Sequence, residues 1–313
     1  MKKILTFSII ILFLIIAIGV AFLSSRNKGT EDISRPKGGI FESAKIDSLY
    51  RQVNGYLAKN NEMEAINTYR AIINSFPESA RRDAALLALG NYYKKTGKFA
   101  EAKEYYLNLI SGCPDSKLLK DAQDQSGDLN VKMLFSSMVM PDSMLYAVKK
   151  GDNLTTIANA FGTTIDLIRK SNNLKSDVIR VGMKLKIARA KFSVIVDKSQ
   201  NTLTLKSNED VIKVYTVATG KDNCTPMGTF KIINKLENPT WYSTNAVVPP
   251  DSPNNILGSR WMGLSVQGYG IHGTTEPGSI GRQATAGCVR MLNTDVEELY
   301  VILPVGTEVT VVD

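Results

Sequence analysis

Four residues recur at one fixed spacing: Ala65, Tyr69, Ile72 and Pro77 return as Ala102, Tyr106, Leu109 and Pro114, each 37 positions on. A repeat of this length is one supersecondary unit that cannot bury its apolar face alone, so copies must stack on each other. The second copy also carries Leu86, Leu89, Gly90, Tyr93 and Gly97 upstream. Small Ala and Gly let helices cross closely, Tyr and Leu fill the gaps between them, and the prolines end helices. The spacing predicts α-helical hairpins over residues 43–140: two copies, then a fading third after Pro114-Asp115-Ser116.

This pattern resembles tetratricopeptide repeats, with about three residues more than the usual period. The resemblance implies a surface for a protein partner; a plain helical spacer without a partner fits the same residues.

Upstream, Lys2 and Lys3 precede an apolar run over residues 4–23, interrupted by Thr6, Ser8 and Gly19. A run of this length, at about 1.5 Å rise per residue, can cross a hydrocarbon core of about 30 Å. A secretory signal has a shorter apolar region and a small-x-small cleavage site, and no such site follows; nor does a cysteine that could carry a lipid. Residues 1–25 are therefore expected to be a membrane signal anchor rather than a cleaved signal peptide, and residues 26–42 a solvated linker. Lysines and arginines flank both sides of the run, so charge alone does not set its orientation.

Beyond Pro141-Asp142-Ser143 the period changes. The segment Tyr146-Ala147-Val148-Lys149-Lys150-Gly151-Asp152-Asn153-Leu154 reads as a short strand, a tight turn and a helix start, with Asp152 as the expected cap. Leu154, Ile157, Ala158 and Phe161 mark one helix, residues 164–172 a second, and Met183-Lys184-Leu185-Lys186-Ile187 a closing strand. The motifs YxVxxGDxL, IAxxF, Asn172-Asn173-Leu174 and GMKLKI make this βααβ unit, residues 145–188, similar to a LysM domain. The resemblance implies a groove for N-acetylglucosamine-containing glycan between loops 151–154 and 173–179, with Gly151, Asp152, Asn153, Leu154, Asn173 and Ile179 as candidate contacts. Its eight Lys/Arg against three Asp would favour anionic wall material.

From residue 192 short alternating strands dominate: 192–197, 202–205, 211–217 and 228–233, the first two joined by Ser199-Gln200-Asn201. They predict an all-β sandwich or barrel, with one or two helical turns at 294–300. The chemistry concentrates in Ile271-His272-Gly273-Thr274 and Thr285-Ala286-Gly287-Cys288-Val289-Arg290, which place the only histidine 16 residues before a cysteine. An ordinary thiol is mostly protonated at neutral pH and needs a base or a positive field to become a nucleophile. An imidazole titrating near 6.5 can take that proton and return it to a leaving amine. Gly287 lets backbone N–H groups approach a substrate carbonyl, and the Cys288 amide can stabilise the oxyanion. Arg290 supplies a permanent cation able to grip a carboxylate with two hydrogen bonds.

With Ala218-Thr-Gly220, Thr225-Pro-x-Gly-x-Phe230 and Asn255-Ile-Leu-Gly-Ser-Arg-Trp261 added, residues 192–313 resemble the YkuD-type L,D-transpeptidases. The resemblance implies a β-sandwich in which Cys288 is the nucleophile, His272 its base and the Gly273 carbonyl the group that orients the imidazole. Arg290 takes the place of the motif's arginine, and Tyr269, Trp261, Thr285 and Ser279 line the substrate cleft. It further implies thioester formation at residue three of a tetrapeptide stem, release of D-Ala, and transfer to an amine, giving a 3→3 peptidoglycan cross-link without metal or organic cofactor. One departure stands out: many members carry a basic residue where this chain has Ala286.

The net charge of +8 is uneven, since residues 192–313 hold nine Lys/Arg against twelve Asp/Glu. No stretch combines clustered basic residues with stacking aromatics, so a nucleic-acid partner is not expected. Cys113, Cys224 and Cys288 have no CxxC spacing, and with a single histidine a zinc site is not expected either. The expected protein is an exported envelope enzyme, anchored to the cytoplasmic membrane facing wall or periplasm, or secreted if the signal is cleaved. Two rivals are a carboxypeptidase or endopeptidase that resolves the same thioester with water, and a non-catalytic wall-binding scaffold.

Overall fold

The 37-residue offset reappears as two helical hairpins. In a computed structural model the described residues are 40–242 and 246–313. Helices α1 (Ile40–Ala58) and α2 (Glu62–Ser75) form the first hairpin, α3 (Asp83–Lys95) and α4 (Phe99–Gly112) the second, and α5 (Leu119–Phe135) stands as a single helix in the third position. The recurring residues face inward: Ala65, Ile72, Ala102, Tyr106 and Leu109 are buried. Burying a side chain of Leu or Ile size contributes about 1.5–3 kcal/mol, so these positions hold the stack together. The expected anchor at 1–25 lies outside the described residues. Among those described, no helix is long and apolar enough to cross a membrane.

The βααβ unit is present with β1 (Ser143–Ala147), α6 (Leu154–Phe161), α7 (Ile165–Ser171) and β2 (Lys184–Ala188), the strands pairing antiparallel. Val148, Leu154, Ile157, Ala158, Ile168, Leu185 and Ile187 make its core. The cap of α6 is Asn153 and not Asp152: its side chain accepts the Thr156 N–H at 2.9 Å, and the Thr156 hydroxyl accepts the Asn153 N–H at 3.1 Å. The Asp152 carboxylate instead accepts from Lys149 N–H at 2.8 Å and the Tyr146 hydroxyl at 2.7 Å, fastening the turn before the helix.

The remaining strands are β3 (Phe192–Asp197), β4 (Thr202–Ser207), β5 (Asp210–Thr216), β6 (Thr219–Gly220), β7 (Gly228–Glu237), β8 (Trp241–Tyr242), β9 (Val247–Val248), β10 (Arg260–Leu264), β11 (Gly270–His272), β12 (Gln283–Thr285), β13 (Val289–Arg290) and β14 (Glu308–Val312). Eight form one ladder in the order β13-β11-β10-β7-β14-β3-β4-β5. The expected sandwich thus takes the form of one continuous ladder, because β7 is ten residues long and serves two partners. Its first four residues pair with β14, and from Ile232 onward it pairs with β10. The predicted alternation holds: Val194, Val196, Leu203 and Leu205 point into the core. The expected turn or two near 294–300 is a ten-residue helix, α8 (Asn293–Ile302), which buries Val296, Leu299 and Ile302.

The modules are docked on one another. Val131 of α5 and Leu167 of α7 lie inside the same apolar cluster as the strands of the β region. Lys186 of β2 is buried and donates to the carbonyls of Met133, Leu134 and Ser136, at 3.0, 3.1 and 2.7 Å. These oxygens close the C-terminal end of α5, where carbonyls lack intrahelical partners. Lys213 of β5 bridges Asp128 of α5 at 2.8 Å and Glu298 of α8 at 3.0 Å. The Thr164 hydroxyl donates to the Val301 carbonyl.

Candidate active site

Strands β11 and β13 run parallel, with Ile271 opposite Val289 and His272 opposite Arg290. Side chains directly opposite in a ladder leave from the same face, as do residues two apart on one strand. His272, Arg290 and Cys288, which precedes β13 by one residue, therefore converge at the edge of the eight-stranded ladder. The outer backbone of β13 is held by Ala218, which exchanges two 2.8 Å hydrogen bonds with Arg290.

His272 is 2% exposed. Its Nδ1 stands 2.7 Å from the Gly273 carbonyl oxygen. A carbonyl only accepts, so Nδ1 carries the proton of the neutral ring and Nε2 is left as the acceptor. Trp261 lies opposite on β10, its ring stacked on the imidazole at 5.9 Å and 22°. The indole N–H donates to Asn234 Oδ1 at 3.1 Å, which holds the stack in place. Burial pushes the imidazole down from 6.5 to about 4; the Gly273 carbonyl opposes that shift, and the Arg290 charge adds to it. The ordinary titration expected near 6.5 is thus corrected: burial makes the imidazolium costly.

The cysteine loop is built around Gly287. Its φ is +122°, and a Cβ there would fall 2.5 Å from the Tyr269 ring. The Gly287 N–H donates to Thr285 Oγ1 at 3.1 Å, and the Thr285 hydroxyl donates to the Cys288 carbonyl at 2.7 Å. The Gly287 amide is thereby occupied, whereas among the described residues the Cys288 N–H, the donor expected for the oxyanion, has no acceptor. Thr285 pins the loop from within. Ala286 points outward and is exposed, so the basic side chain of other members would stand at the surface here. The half-buried Cys288 directs Sγ at the Gly268 carbonyl, 3.7 Å away. Burial pushes its thiol up, and the Gly270 N–H and the Arg290 charge only partly offset this. Thiol and imidazole are both neutral at rest, so a proton must move as the sulfur attacks.

Arg290 is buried, and its Nη1 donates to Glu276 Oε2 at 2.7 Å and Ser279 Oγ at 3.1 Å. Both contacts use Nη1, and Nε is buried without a partner among the described residues; as placed, Arg290 is a fixed cation beside thiol and imidazole. Ser279, expected to line the cleft, serves this ion pair, its own hydroxyl donating to the Glu276 carbonyl at 2.7 Å.

Three families match along the chain: the tetratricopeptide repeat at residues 47–79 and 84–116, the LysM domain at 146–188 and the L,D-transpeptidase catalytic domain (YkuD) at 191–311. A Bacillus subtilis strain 168 protein named, provisionally, L,D-transpeptidase YkuD is 36% identical over 175 residues, which cover 54% of this chain and 98% of that protein. The chain belongs to the L,D-transpeptidase family. A second Bacillus subtilis relative, provisionally named L,D-transpeptidase YqjB, is 43% identical over 126 residues, covering 38% of this chain and 70% of its own length. Among solved structures, an L,D-transpeptidase from Mycobacterium smegmatis overlaps 43% of this chain and 65% of its own, at 22% identity and a TM-score of 0.34.

In this L,D-transpeptidase the two repeat matches are themselves offset by 37 residues. Of the candidate glycan contacts, Gly151, Asn153 and Asn173 are exposed, and Asp152 and Ile179 are half-buried. Leu154 is 2% exposed and belongs to the core, which corrects its place among groove residues. Leu174 and Ile179 pack on the same cluster as Leu154, so both loops rest on one core. Sequence reading missed Glu276, Asn234 and Asn293, all of which act on the site through a neighbour. It also missed Cys224: a Cβ on Gly220 would lie 2.6 Å from its Sγ and 3.0 Å from the Gly287 Cα. All three cysteines are free. Among the described residues, no cluster of His, Cys, Asp and Glu could hold a metal ion.

Proposed function

We propose that this L,D-transpeptidase joins peptidoglycan stems through a thioester on Cys288. The observation that carries the reading is the edge-strand arrangement in which the only histidine, tied through Nδ1, shares a face with Cys288 and Arg290. The thiol proton passes to His272 Nε2 as sulfur bonds to the carbonyl carbon of residue three, a diamino acid, in a tetrapeptide stem. The free Cys288 N–H receives the oxyanion. The C–N bond to D-Ala then breaks, and the proton leaves with its amine. An amine of a second stem attacks the thioester, gives its proton to His272, and departs as a 3→3 cross-link while the thiol is restored. Arg290, fixed by Glu276 and Ser279, lends positive charge to the developing thiolate, and Tyr269 and Trp261 wall the cleft. The βααβ module at 145–188 holds glycan through the exposed loop residues Gly151, Asn153 and Asn173. The hairpins at 43–140 present a face to a protein partner or act as a spacer. Residues 1–25 anchor the enzyme in the envelope, with the catalytic region at 192–313 facing the wall.

The test supplies a disaccharide-tetrapeptide donor with and without a second stem as acceptor. The expected result is acceptor-dependent formation of a 3→3 dimer with release of D-Ala. Free tripeptide released at the same rate with and without acceptor would make the enzyme a hydrolase and overturn the transfer step.

A further inference from the structure

Asn293 is the first residue of α8, 21 positions from His272 in sequence, yet its side chain reaches the backbone that surrounds the imidazole. A single atom, Oδ1, accepts the Ser259 N–H at 3.2 Å and the Thr274 N–H at 2.9 Å. Each of these amides follows a glycine on which the carboxamide lies flat: a Cβ on Gly258 or on Gly273 would come within 2.2 Å of the same oxygen. Gly258 also has a φ of +63°, so the approach excludes side chains there twice over. The two segments so joined carry the carbonyls that act on the ring. Gly273 O meets Nδ1 at 2.7 Å, and the Leu257 carbonyl, one residue before Gly258, also favours the protonated ring.

We propose that Asn293 is a positioning residue: by bolting segments 257–259 and 273–274 together through one oxygen, it fixes the Gly273 carbonyl and so holds His272 in the tautomer that leaves Nε2 free. The inference deepens the Cys288–His272 reading above and rests on it for its meaning in catalysis. The geometry it concerns can be tested apart from turnover, because the chain has one histidine and its ring signals are unique. The charged group acting on that ring is Arg290 from β13, itself paired with Glu276; Trp261 and Cys288 are the uncharged neighbours.

The experiment is an imidazole NMR titration of the purified full chain, run beside kcat and KM, for wild type, Asn293→Asp and Asn293→Ala. Asp keeps an oxygen for both amides and adds a negative charge behind the Gly273 carbonyl, so the His272 titration should move up by one pH unit or more, on the order expected for a nearby opposite charge. Ala removes the acceptor: the nitrogen shifts should report a mixture of tautomers, and kcat should fall at least about tenfold with KM within about twofold. A merely structural asparagine would lower thermal stability in Asn293→Ala while leaving tautomer and kcat of the folded protein as in wild type. That result, or an unmoved titration in Asn293→Asp, overturns the proposal. If the NMR changes appear while no stem peptide ever acylates wild-type Cys288, the positioning stands and the thioester reading fails.

Discussion

His272 is neutral because it is buried, and this has two measurable consequences. Unfolded, the ring returns to 6.5, whereas folded it titrates at about 4. Between those values the unfolded chain binds a proton that the native chain does not, so stability falls as pH drops from 6.5 towards 4, by about 3 kcal/mol. If Nε2 must be unprotonated to accept the thiol proton, the acid limb of kcat/KM also lies near 4; a pH–rate profile with its limb at 6.5 would contradict the burial argument. Arg290 offers a second test at this scale. Lysine keeps the charge but is shorter and lacks the guanidinium whose Nη1 donates to both Glu276 and Ser279, so Arg290→Lys should lose at least about tenfold in kcat/KM, about 1.4 kcal/mol. Full activity would reduce Arg290 to a scaffold residue. The residues whose chemistry follows from their type, Cys288, His272 and Gly287, were legible from motif and spacing. Glu276, Asn234 and Asn293 were not, since each acts through a contact 14 to 34 positions away that leaves no period in the sequence. Thr285 and Ser279 were expected to line the cleft, but which partner a hydroxyl takes depends on the folded loop.

Among elements, α5 joins the repeat region, the βααβ unit and the β region. Its last carbonyls are closed by Lys186, whose ammonium is pulled down to about 8 by burial, while three acceptors and the C-terminal end of the helix dipole hold it charged at neutral pH. Lys186→Met keeps the bulk and removes all three hydrogen bonds. Buried carbonyls left without donors cost about 1–3 kcal/mol each, less where water enters. Urea unfolding should therefore show a loss of about 2–3 kcal/mol, and limited proteolysis should open the chain within residues 136–142. A variant as stable and as protease-resistant as wild type would show that Lys186 does not secure the junction. The element pattern itself was readable: the repeat offset marked the hairpins, and alternation marked β3 and β4. What escaped was side-chain choice between neighbours, as where Asn153 rather than Asp152 caps α6, and pairing at a distance, as where β7 serves both β14 and β10.

For the whole molecule, buried Lys186, Val131 and Leu167 make the LysM module a docked part of the enzyme rather than a tethered one. A glycan held by this module, as proposed, would meet the thiol at a distance set by packing instead of by linker length. Asn173→Gly keeps the left-handed backbone at φ +53° and removes the amide; it should weaken sedimentation with purified sacculi and lower turnover on insoluble wall more than on small soluble stems. Equal loss on both substrates would contradict glycan docking. The central claim is the acyl-enzyme on Cys288, and intact-protein mass after mixing with a disaccharide-tetrapeptide tests it most directly. The account predicts a gain equal to the donor less one alanine, mapping to Cys288, absent in Cys288→Ala, slow to form in His272→Ala and cleared by an amine acceptor. An adduct on Cys224 or Cys113, or none at all, would contradict it.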